Sequence, residues 1–275
     1  MHEHVETPAA RTRFGARMRF GALATAACLL IALSATAQEK VKTDVVYIPT
    51  PQDVVDGMLK MAGVKKGDYL IDLGSGDGRM VVTAAKEYGA RGFGVDIDPK
   101  RVEEANENAR LAGVTDQVEF RIQNLYETDI SKADVLTLYL LTEINMKLRP
   151  TILSTMRPGS RVVSHAFDMG EWKADQEHRF QATGRRMLFW VVPAKVEGAW
   201  KVDNGESNFV LNLSQNFQQL TGAAEINSKS TPIENGRLNG SDITFAINLD
   251  GKQRTFQGRV DGNAITAPGW KATRL

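Results

Sequence analysis

A glycine-rich turn flanked by carboxylates is the segment of this chain best suited to chemistry. Residues 72–79 read Asp-Leu-Gly-Ser-Gly-Asp-Gly-Arg, between an apolar run over 69–73 and a helical pattern over 79–88. Glycines at such a turn let a ligand approach the backbone closely, and the first turn of a helix presents unpaired N–H groups to it. The segment therefore predicts a ligand-binding turn between a strand and a helix.

Carboxylates distinguish this turn from the pyrophosphate-binding turn of dinucleotide enzymes, whose pattern is G-x-G-x-x-G. The glycines here follow the spacing G-x-G-x-G, Asp72 closes the strand, and Asp77 lies inside the turn. Two carboxylates repel a pyrophosphate, whereas they suit a ligand that carries an ammonium and a sulfonium. The turn thus favours S-adenosylmethionine over NAD as the cofactor.

Two further polar residues stand where the next strands are expected to end. Asp96 closes the second predicted strand, where a carboxylate can accept hydrogen bonds from both hydroxyls of a ribose. Asn124 follows the third, where an amide can pair with the edge of an adenine. Because ligands of such sheets bind outside the carboxyl ends of the strands, these residues and the turn predict one adenosine site. The alternative is a glycine-rich turn in a fold without a cofactor.

The elements that must position these residues alternate between short apolar runs and helical stretches from Val45 to Pro193. This alternation predicts an α/β fold with a Rossmann-like, doubly wound sheet. Seven strands are expected, and the last two form a terminal antiparallel hairpin. The first helix is expected to follow Thr50 as its cap, another to start at Asp98-Pro99, and a third, over 145–156, to be interrupted at Pro150.

The composition changes near Ala194, after which Asn, Gly, Ser and Gln are frequent. Alternating apolar residues such as Phe209, Leu211 and Leu213, with several Asn-Gly and Asp-Gly dipeptides between the alternating runs, are typical of hairpins. Residues 195–275 are therefore predicted to form a small antiparallel all-β domain of about six strands, with this stripe in its core. The sequence leaves its role open between binding a partner, setting substrate specificity and capping the α/β domain.

The first 37 residues have the order of a secretory signal: arginines, an apolar run from Gly21 to Leu33, and small residues up to Ala37. The run is shorter than the ~20 residues of a spanning helix, which favours cleavage over an uncleaved membrane anchor. An exported, periplasmic protein without stable membrane insertion is expected. The predicted domains are 1–37, 38–194 and 195–275. The single cysteine, Cys28, falls inside the signal.

Charge and spacing exclude several other classes. The formal net charge is +1 at pH 7, so no nucleic-acid partner is expected. No His, Asp or Glu spacing resembles a metal site, and no G-x-S-x-G segment indicates a hydrolase.

Residues 45–193 resemble the class I, seven-strand methyltransferases that use S-adenosyl-L-methionine. Within that class they are similar to broad-specificity archaeal protein-lysine methyltransferases, and a mitochondrial lysine methyltransferase family shares the same opening and glycine turn. The matching segments are 47–51 (Tyr-Ile-Pro-Thr-Pro), 72–79, 94–98 (Gly-Val-Asp-Ile-Asp), 135–142 and 161–165 (Arg-Val-Val-Ser-His).

The resemblance implies a cofactor site and, through it, a place for each contact residue. The residues it assigns to cofactor contact are Thr50, Asp72, Gly74, Asp96 and Asn124. The predicted site also includes their neighbours Ser75, Gly76, Asp77, Gly78, Ile97 and Leu125. Protein substrates with exposed lysines are the partners that the resemblance implies.

A lysine acceptor is a difficult nucleophile, because its reference pKa of about 10.4 leaves little of it neutral at pH 7. A channel of low dielectric lowers that pKa, and aromatic rings hold the amine without blocking its lone pair. Tyr139, just past the fourth strand, is the predicted wall of such a channel, and Tyr47 would close it from the N-terminal side. His165, at the end of the fifth strand, is a candidate for proton removal. Simple packing is the alternative for each of these three residues.

Three functions follow from these residues. The first is methyl transfer to protein lysines, and the second is methyl transfer to a small-molecule acceptor at the same cofactor site. The third is an exported binding protein that keeps the fold without turnover. The predicted signal supports the third, because S-adenosylmethionine is made in the cytoplasm.

Overall fold

The computed structural model describes residues 47–181, 183–206, 208–249 and 251–275. The predicted signal over 1–37 lies outside these residues. The described chain forms a seven-stranded mixed sheet covered by helices, followed by an eight-stranded antiparallel barrel. The sheet and the barrel belong to one compact unit.

The seven-stranded sheet has the order β3-β2-β1-β4-β5-β7-β6. Its strands are β1 Tyr69–Leu73, β2 Arg91–Asp96, β3 Val118–Ile122, β4 Val135–Leu138, β5 Arg161–His165, β6 Gln176–Arg179 and β7 Arg186–Val191. Strands β1 to β5 are parallel, and β7 is antiparallel to both of its neighbours. The predicted doubly wound sheet with a terminal hairpin is confirmed.

Four helices cover the two faces of this sheet. They are α1 Gln52–Met61, α2 Arg79–Tyr88, α3 Pro99–Ala112 and α4 Thr142–Thr155. Helices α1 to α3 bury an apolar cluster against one face, with Met58 and Val81 among its members. Helix α4 buries a second cluster against the other face, where Trp172 and Trp190 are fully buried. Both tryptophans were expected in the core.

Predictions about two helices were wrong. Thr50 does not cap α1: the residue before the helix is Pro51, and the hydroxyl oxygen of Thr50 lies 3.3 Å from Nδ1 of His165 instead. Helix α4 begins at Thr142 and runs through Pro150 without a break. A proline inside a helix costs about 3 kcal/mol, which the burial of Leu148 and Ile152 on either side of it offsets.

The C-terminal residues form a closed barrel, as one of the two predicted arrangements. Its strands are β8 Gly198–Asp203, β9 Asn208–Asn216, β10 Gln219–Ile226, β11 Lys229–Asn239, β12 Asp242–Leu249, β13 Lys252–Asp261, β14 Ala264–Ala267 and β15 Trp270–Arg274. The prediction of about six strands was low, because β14 and β15 are too short to show a clear alternation. Stacked aromatic side chains fill the interior, and the Phe245 and Phe256 rings lie 5.1 Å apart. The predicted stripe of Phe209, Leu211 and Leu213 is buried there.

Within the described ranges, every helix is too short or too polar to cross a bilayer.

Candidate functional site

A cavity of about 730 Å³ opens at the carboxyl ends of β1, β2 and β4. Its volume is in the range of small-molecule and cofactor sites. Most of the predicted site residues line it: Tyr47, Thr50, Asp72, Gly74, Ser75, Gly76, Asp77, Asp96, Ile97, Asn124, Leu125 and Tyr139. Gly78 and His165 do not. The topology therefore brings together side chains from five separate segments of the chain.

Gly78 serves packing rather than the cavity wall. A Cβ atom at this position would lie 2.6 Å from the Phe120 ring and 2.8 Å from the Cβ of Ala105. The residue also has a φ of +76°, in the left-handed region that glycine adopts at little cost. Gly78 thus lets α2 start close against α3 and β3.

The glycine turn is fixed to the neighbouring strand by backbone hydrogen bonds. The N–H groups of Gly74 and Ser75 donate to the carbonyl of Val95 over 2.9 and 2.8 Å. Gly76 lies under the ring of Tyr47, so that a Cβ there would come within 2.3 Å of the ring. The guanidinium of Arg101 covers the same ring at 4.6 Å from its centroid. The turn, Tyr47 and α3 therefore form one packed corner of the cavity.

Asp96 is held at the end of β2 by both of its carboxylate oxygens. One oxygen accepts a 2.9 Å hydrogen bond from the Gly76 N–H, and the other a 3.0 Å bond from the Asp98 N–H. Each carboxylate oxygen has a second lone pair. The side chain is thus preorganised to accept further hydrogen bonds from a ligand in the cavity.

Arg79 changes the electrostatics that the sequence suggested. Its Nε donates to Asp77 over 2.9 Å, and its Nη1 donates to the carbonyl of Thr50 over 2.8 Å. Partial burial tends to raise the pKa of Asp77, but the Arg79 guanidinium outweighs burial and lowers it. Asp77 and Arg79 are together neutral, so the argument against a pyrophosphate rests on Asp72 and Asp96.

Asp72 lies at the buried floor of the cavity, at the end of β1. Burial raises the pKa of its carboxyl to about 7, the hydroxyl of Thr137 opposes the rise through a 2.7 Å hydrogen bond, and Asp96 and Asp77 add to it. A cationic ligand in the cavity would stabilise the charged form of this carboxyl.

Asn124 starts a short 3₁₀ helix over Leu125–Glu127. Its side-chain oxygen accepts a 3.0 Å hydrogen bond from the Tyr126 N–H, and its amide nitrogen lies 3.4 Å from Glu127 Oε1. Asn124 and Leu125 thereby form the cavity wall beyond Asp96, with Ile97 on the neighbouring strand end.

The opposite end of the cavity is apolar and aromatic. Tyr139 stacks against Phe167, with ring centroids 6.0 Å apart, and against His165 at 4.0 Å. Leu140 and Ile144 complete this end. Sequence reasoning missed Phe167, whose position depends on a tight turn at Ala166 that no local pattern indicates.

His165 lies behind Tyr139 and is only 3% exposed. Burial lowers the pKa of its imidazole to about 4, Arg185 adds to the effect, and Asp53 opposes it. The ring is therefore neutral at pH 7. Its position outside the cavity wall favours the structural alternative over direct proton removal.

Over its α/β part the chain is similar to known methyltransferases. A protein-lysine N-methyltransferase of Saccharolobus islandicus (strain REY15A) is 43% identical over 127 residues, which cover 46% of this chain and 79% of that protein. This chain belongs to the class I S-adenosylmethionine-dependent methyltransferases. Its cofactor is S-adenosylmethionine, as the turn and Asp96 predicted.

Other relatives agree on the class of this methyltransferase. The family described as "ANTKMT methyltransferase domain" matches residues 72–176. An ATP synthase lysine N-methyltransferase of Mus musculus is 27% identical over 190 residues, 68% of this chain and 74% of that protein. A solved structure from Salinibacter ruber, described as an RNA methyltransferase in complex with S-adenosyl-L-homocysteine, is 50% identical. It aligns with a TM-score of 0.53 over 54% of this chain and 96% of its own.

The described residues include no group of three or more His, Cys, Asp and Glu side chains that could hold a metal ion.

Proposed function

We propose that this methyltransferase acts on the ε-amines of lysines in proteins. The observation that carries the proposal is the contrast between the two ends of the cavity. One end offers carboxylates and a fixed glycine turn, and the other offers stacked Tyr139 and Phe167 with aliphatic neighbours. An aromatic, apolar end suits the long methylene chain and the amine of lysine.

The residues of the first end fit the cofactor. Asp96 is oriented to accept hydrogen bonds from a ribose, and Asp72 supplies negative charge for an ammonium and a sulfonium. The Ser75 hydroxyl lines the cavity and is buried without a hydrogen-bond partner among the described residues. A buried hydroxyl without a partner is costly, and a polar group of the cofactor would satisfy it.

Binding of the cofactor supplies a methyl group on a sulfonium, which is the electrophile of the transfer. The aromatic end would hold the lysine amine in line with that methyl group, and holding two reactants in this geometry supplies much of the rate. Leu140 and Ile144 exclude water there, and low polarity lowers the pKa of an amine. Because His165 is neutral and lies behind Tyr139, proton loss from the amine is assigned to solvent at the cavity mouth.

The cations of the cavity argue against a phosphate-bearing acceptor. Arg79 is paired with Asp77, and Arg101 pairs with Glu104 at 2.6 Å. A near-neutral chain also lacks the overall charge that RNA-binding proteins use. RNA is nevertheless the competing acceptor, because the Salinibacter ruber relative is described as an RNA methyltransferase.

Transfer of labelled methyl groups distinguishes the acceptors. The protein is incubated with isotope-labelled S-adenosylmethionine and a mixture of cellular proteins, RNA and small molecules, and the label is followed through protease and ribonuclease digestion. Label in the protein fraction, lost in an Asp96→Ala control, supports the proposal. Label only in RNA or only in small molecules contradicts it.

The proposal includes export through the predicted signal over 1–37. The support is the order of arginines, apolar run and small residues before Gln38. Sequencing the N-terminus of the protein isolated from cell fractions tests this point. A start at Gln38 in the periplasmic fraction is expected, whereas an uncleaved protein in the cytoplasm would contradict export.

A further inference from the structure

The turn between β9 and β10 carries a bulky aromatic residue in an unfavourable conformation. Asn216 pairs with Gln219, so the two residues between them, Phe217 and Gln218, form the hairpin tip. Phe217 has a φ of +54°. Glycine or asparagine is expected at such a position, and a bulky residue there is strained. Strain of this kind persists where surrounding contacts require the side chain.

Those contacts belong to the α/β part of the chain. Segment 166–175, here termed the acceptor-side loop, runs from the end of β5 to the start of β6. The Phe217 ring stacks on Trp172 of this loop, with centroids 6.0 Å apart and planes at 17°. The Gln218 amide donates to the Lys173 carbonyl over 2.9 Å. The hairpin tip thus holds the distal half of the loop.

Helix α4 connects the hairpin tip to the proximal half of the loop. The Arg149 guanidinium lies 5.3 Å from the centroid of the Phe217 ring, and its Nη1 donates to the Met169 carbonyl over 2.9 Å. One turn earlier, the Asn145 amide donates to the carbonyls of Phe167 and Asp168, both at 3.2 Å. Asn145 therefore binds this loop from within the helix rather than starting the helix.

The proximal end of the loop is itself strained. Ala166 has a φ of +67°, and the Phe167 N–H donates to the His165 carbonyl over 2.8 Å. This is a three-residue turn with a positive central φ, which is a rare and strained form. The turn directs the chain so that Phe167 lines the cavity beside Tyr139. A strained turn at the cavity edge needs support from outside the loop.

We propose that the hairpin tip of the barrel is a positioning element for the acceptor end of the cavity. Phe217 and Gln218 act through Arg149 and Trp172, fix the acceptor-side loop, and so hold Phe167 where the acceptor enters. The barrel thereby sets acceptor binding without contacting the cofactor site. The enzymatic part of this inference rests on the proposed lysine acceptor.

Phe217→Gly is the decisive variant, because it removes the ring while relieving the backbone strain. Amide hydrogen exchange over residues 166–175 is expected to accelerate by about tenfold or more. The KM for the protein acceptor is expected to rise about tenfold, while the Kd for S-adenosylmethionine stays within about twofold. Phe217→Trp, which keeps an aromatic ring at the same place, is expected to restore both quantities.

Phe256→Leu is the matched control, because it loosens the barrel interior away from the loop. It is expected to lower the Tm and leave loop exchange and the acceptor KM unchanged. Arg149→Leu, which removes the link from α4, is a second test with the same expected outcome as Phe217→Gly.

Unchanged exchange over 166–175 in both Phe217→Gly and Arg149→Leu would overturn the proposal, whichever acceptor the enzyme uses. Faster exchange with an unchanged acceptor KM would overturn its enzymatic part. A wild-type protein that binds cofactor but methylates no lysine would instead count against the proposed function, and the exchange measurement would still decide the role of the tip.

Discussion

Replacing Asp72 with asparagine is expected to stabilise the cofactor-free enzyme while weakening cofactor binding. The carboxyl is buried, and burial raises its pKa from 3.8 to about 7 in the folded protein. Asparagine has nearly the same shape and can still accept the hydrogen bond from Thr137, but it carries no charge. The variant therefore isolates the cost of placing this charge at the floor of the cavity.

The sign of the pH effect follows from the direction of the shift. Because the folded pKa is raised, the folded protein retains a proton that the unfolded chain releases, and stability falls as the pH rises from about 4 to about 7. The full cost, above pH 7, is about 4 kcal/mol, of which about 3 kcal/mol accumulates above pH 5. Asp72→Asn is thus expected to gain about 3 kcal/mol more at pH 8 than at pH 5, or roughly 10 °C in Tm.

Thermal unfolding at pH 5 and pH 8 without cofactor measures this gain, and calorimetry at pH 8 measures the Kd for S-adenosylmethionine. The Kd is expected to rise about tenfold, because the variant no longer attracts the cationic groups of the ligand. Asp68→Asn is the matched control: Asp68 is also buried but is paired with Arg161 at 2.8 Å, and its replacement is expected to destabilise the protein. An equal gain for Asp72→Asn at both pH values, or a loss at pH 8, would refute the reasoning.

Three further substitutions test the rest of the site. Asp96→Ala removes an acceptor that two backbone N–H groups hold in place, and calorimetry is expected to show cofactor binding weakened about 100-fold or more, whereas a change of under threefold or so would contradict the ribose assignment. Tyr139→Ala is expected to lower kcat/KM about 100-fold and Tyr139→Phe less than about fivefold, because the ring face rather than the hydroxyl holds the amine; equal losses would contradict an aromatic wall. His165→Gln is expected to lower the rate by displacing Tyr139 without changing the shape of the pH–rate profile between pH 5 and 8, since the imidazole is already neutral there; loss of an inflection in this range would show that the histidine transfers a proton.

The cofactor end of the cavity could be predicted because its determinants are local. The glycine turn lies between a strand and a helix, and each residue from Asp72 to Arg79 owes its place to that junction. Asp96 ends the neighbouring strand, and parallel strands end at the same edge of a sheet. A local signal for the pairing of Arg79 with Asp77 was also present, two residues apart in the turn, but the prediction counted only the carboxylates.

The acceptor end could not be predicted, because contacts between distant segments determine it. Phe167 reaches the cavity through a positive φ at Ala166 and through hydrogen bonds from α4. His165 was correctly placed at the end of a strand, but its separation from the cavity depends on the stacked ring of Tyr139 in front of it. The role proposed for the barrel rests on Phe217, 50 residues after Phe167 in the chain.

Mapping the transferred methyl group by tandem mass spectrometry tests the central claim most directly. Purified protein over residues 38–275 is incubated with labelled S-adenosylmethionine and a lysine-rich protein, next to an Asp96→Ala control. We predict labelled mono-, di- or trimethyl-lysine in the wild-type reaction and none in the control. Label on another side chain, label on nucleotides in a parallel RNA reaction, or no transfer by a protein that binds the cofactor would contradict the account.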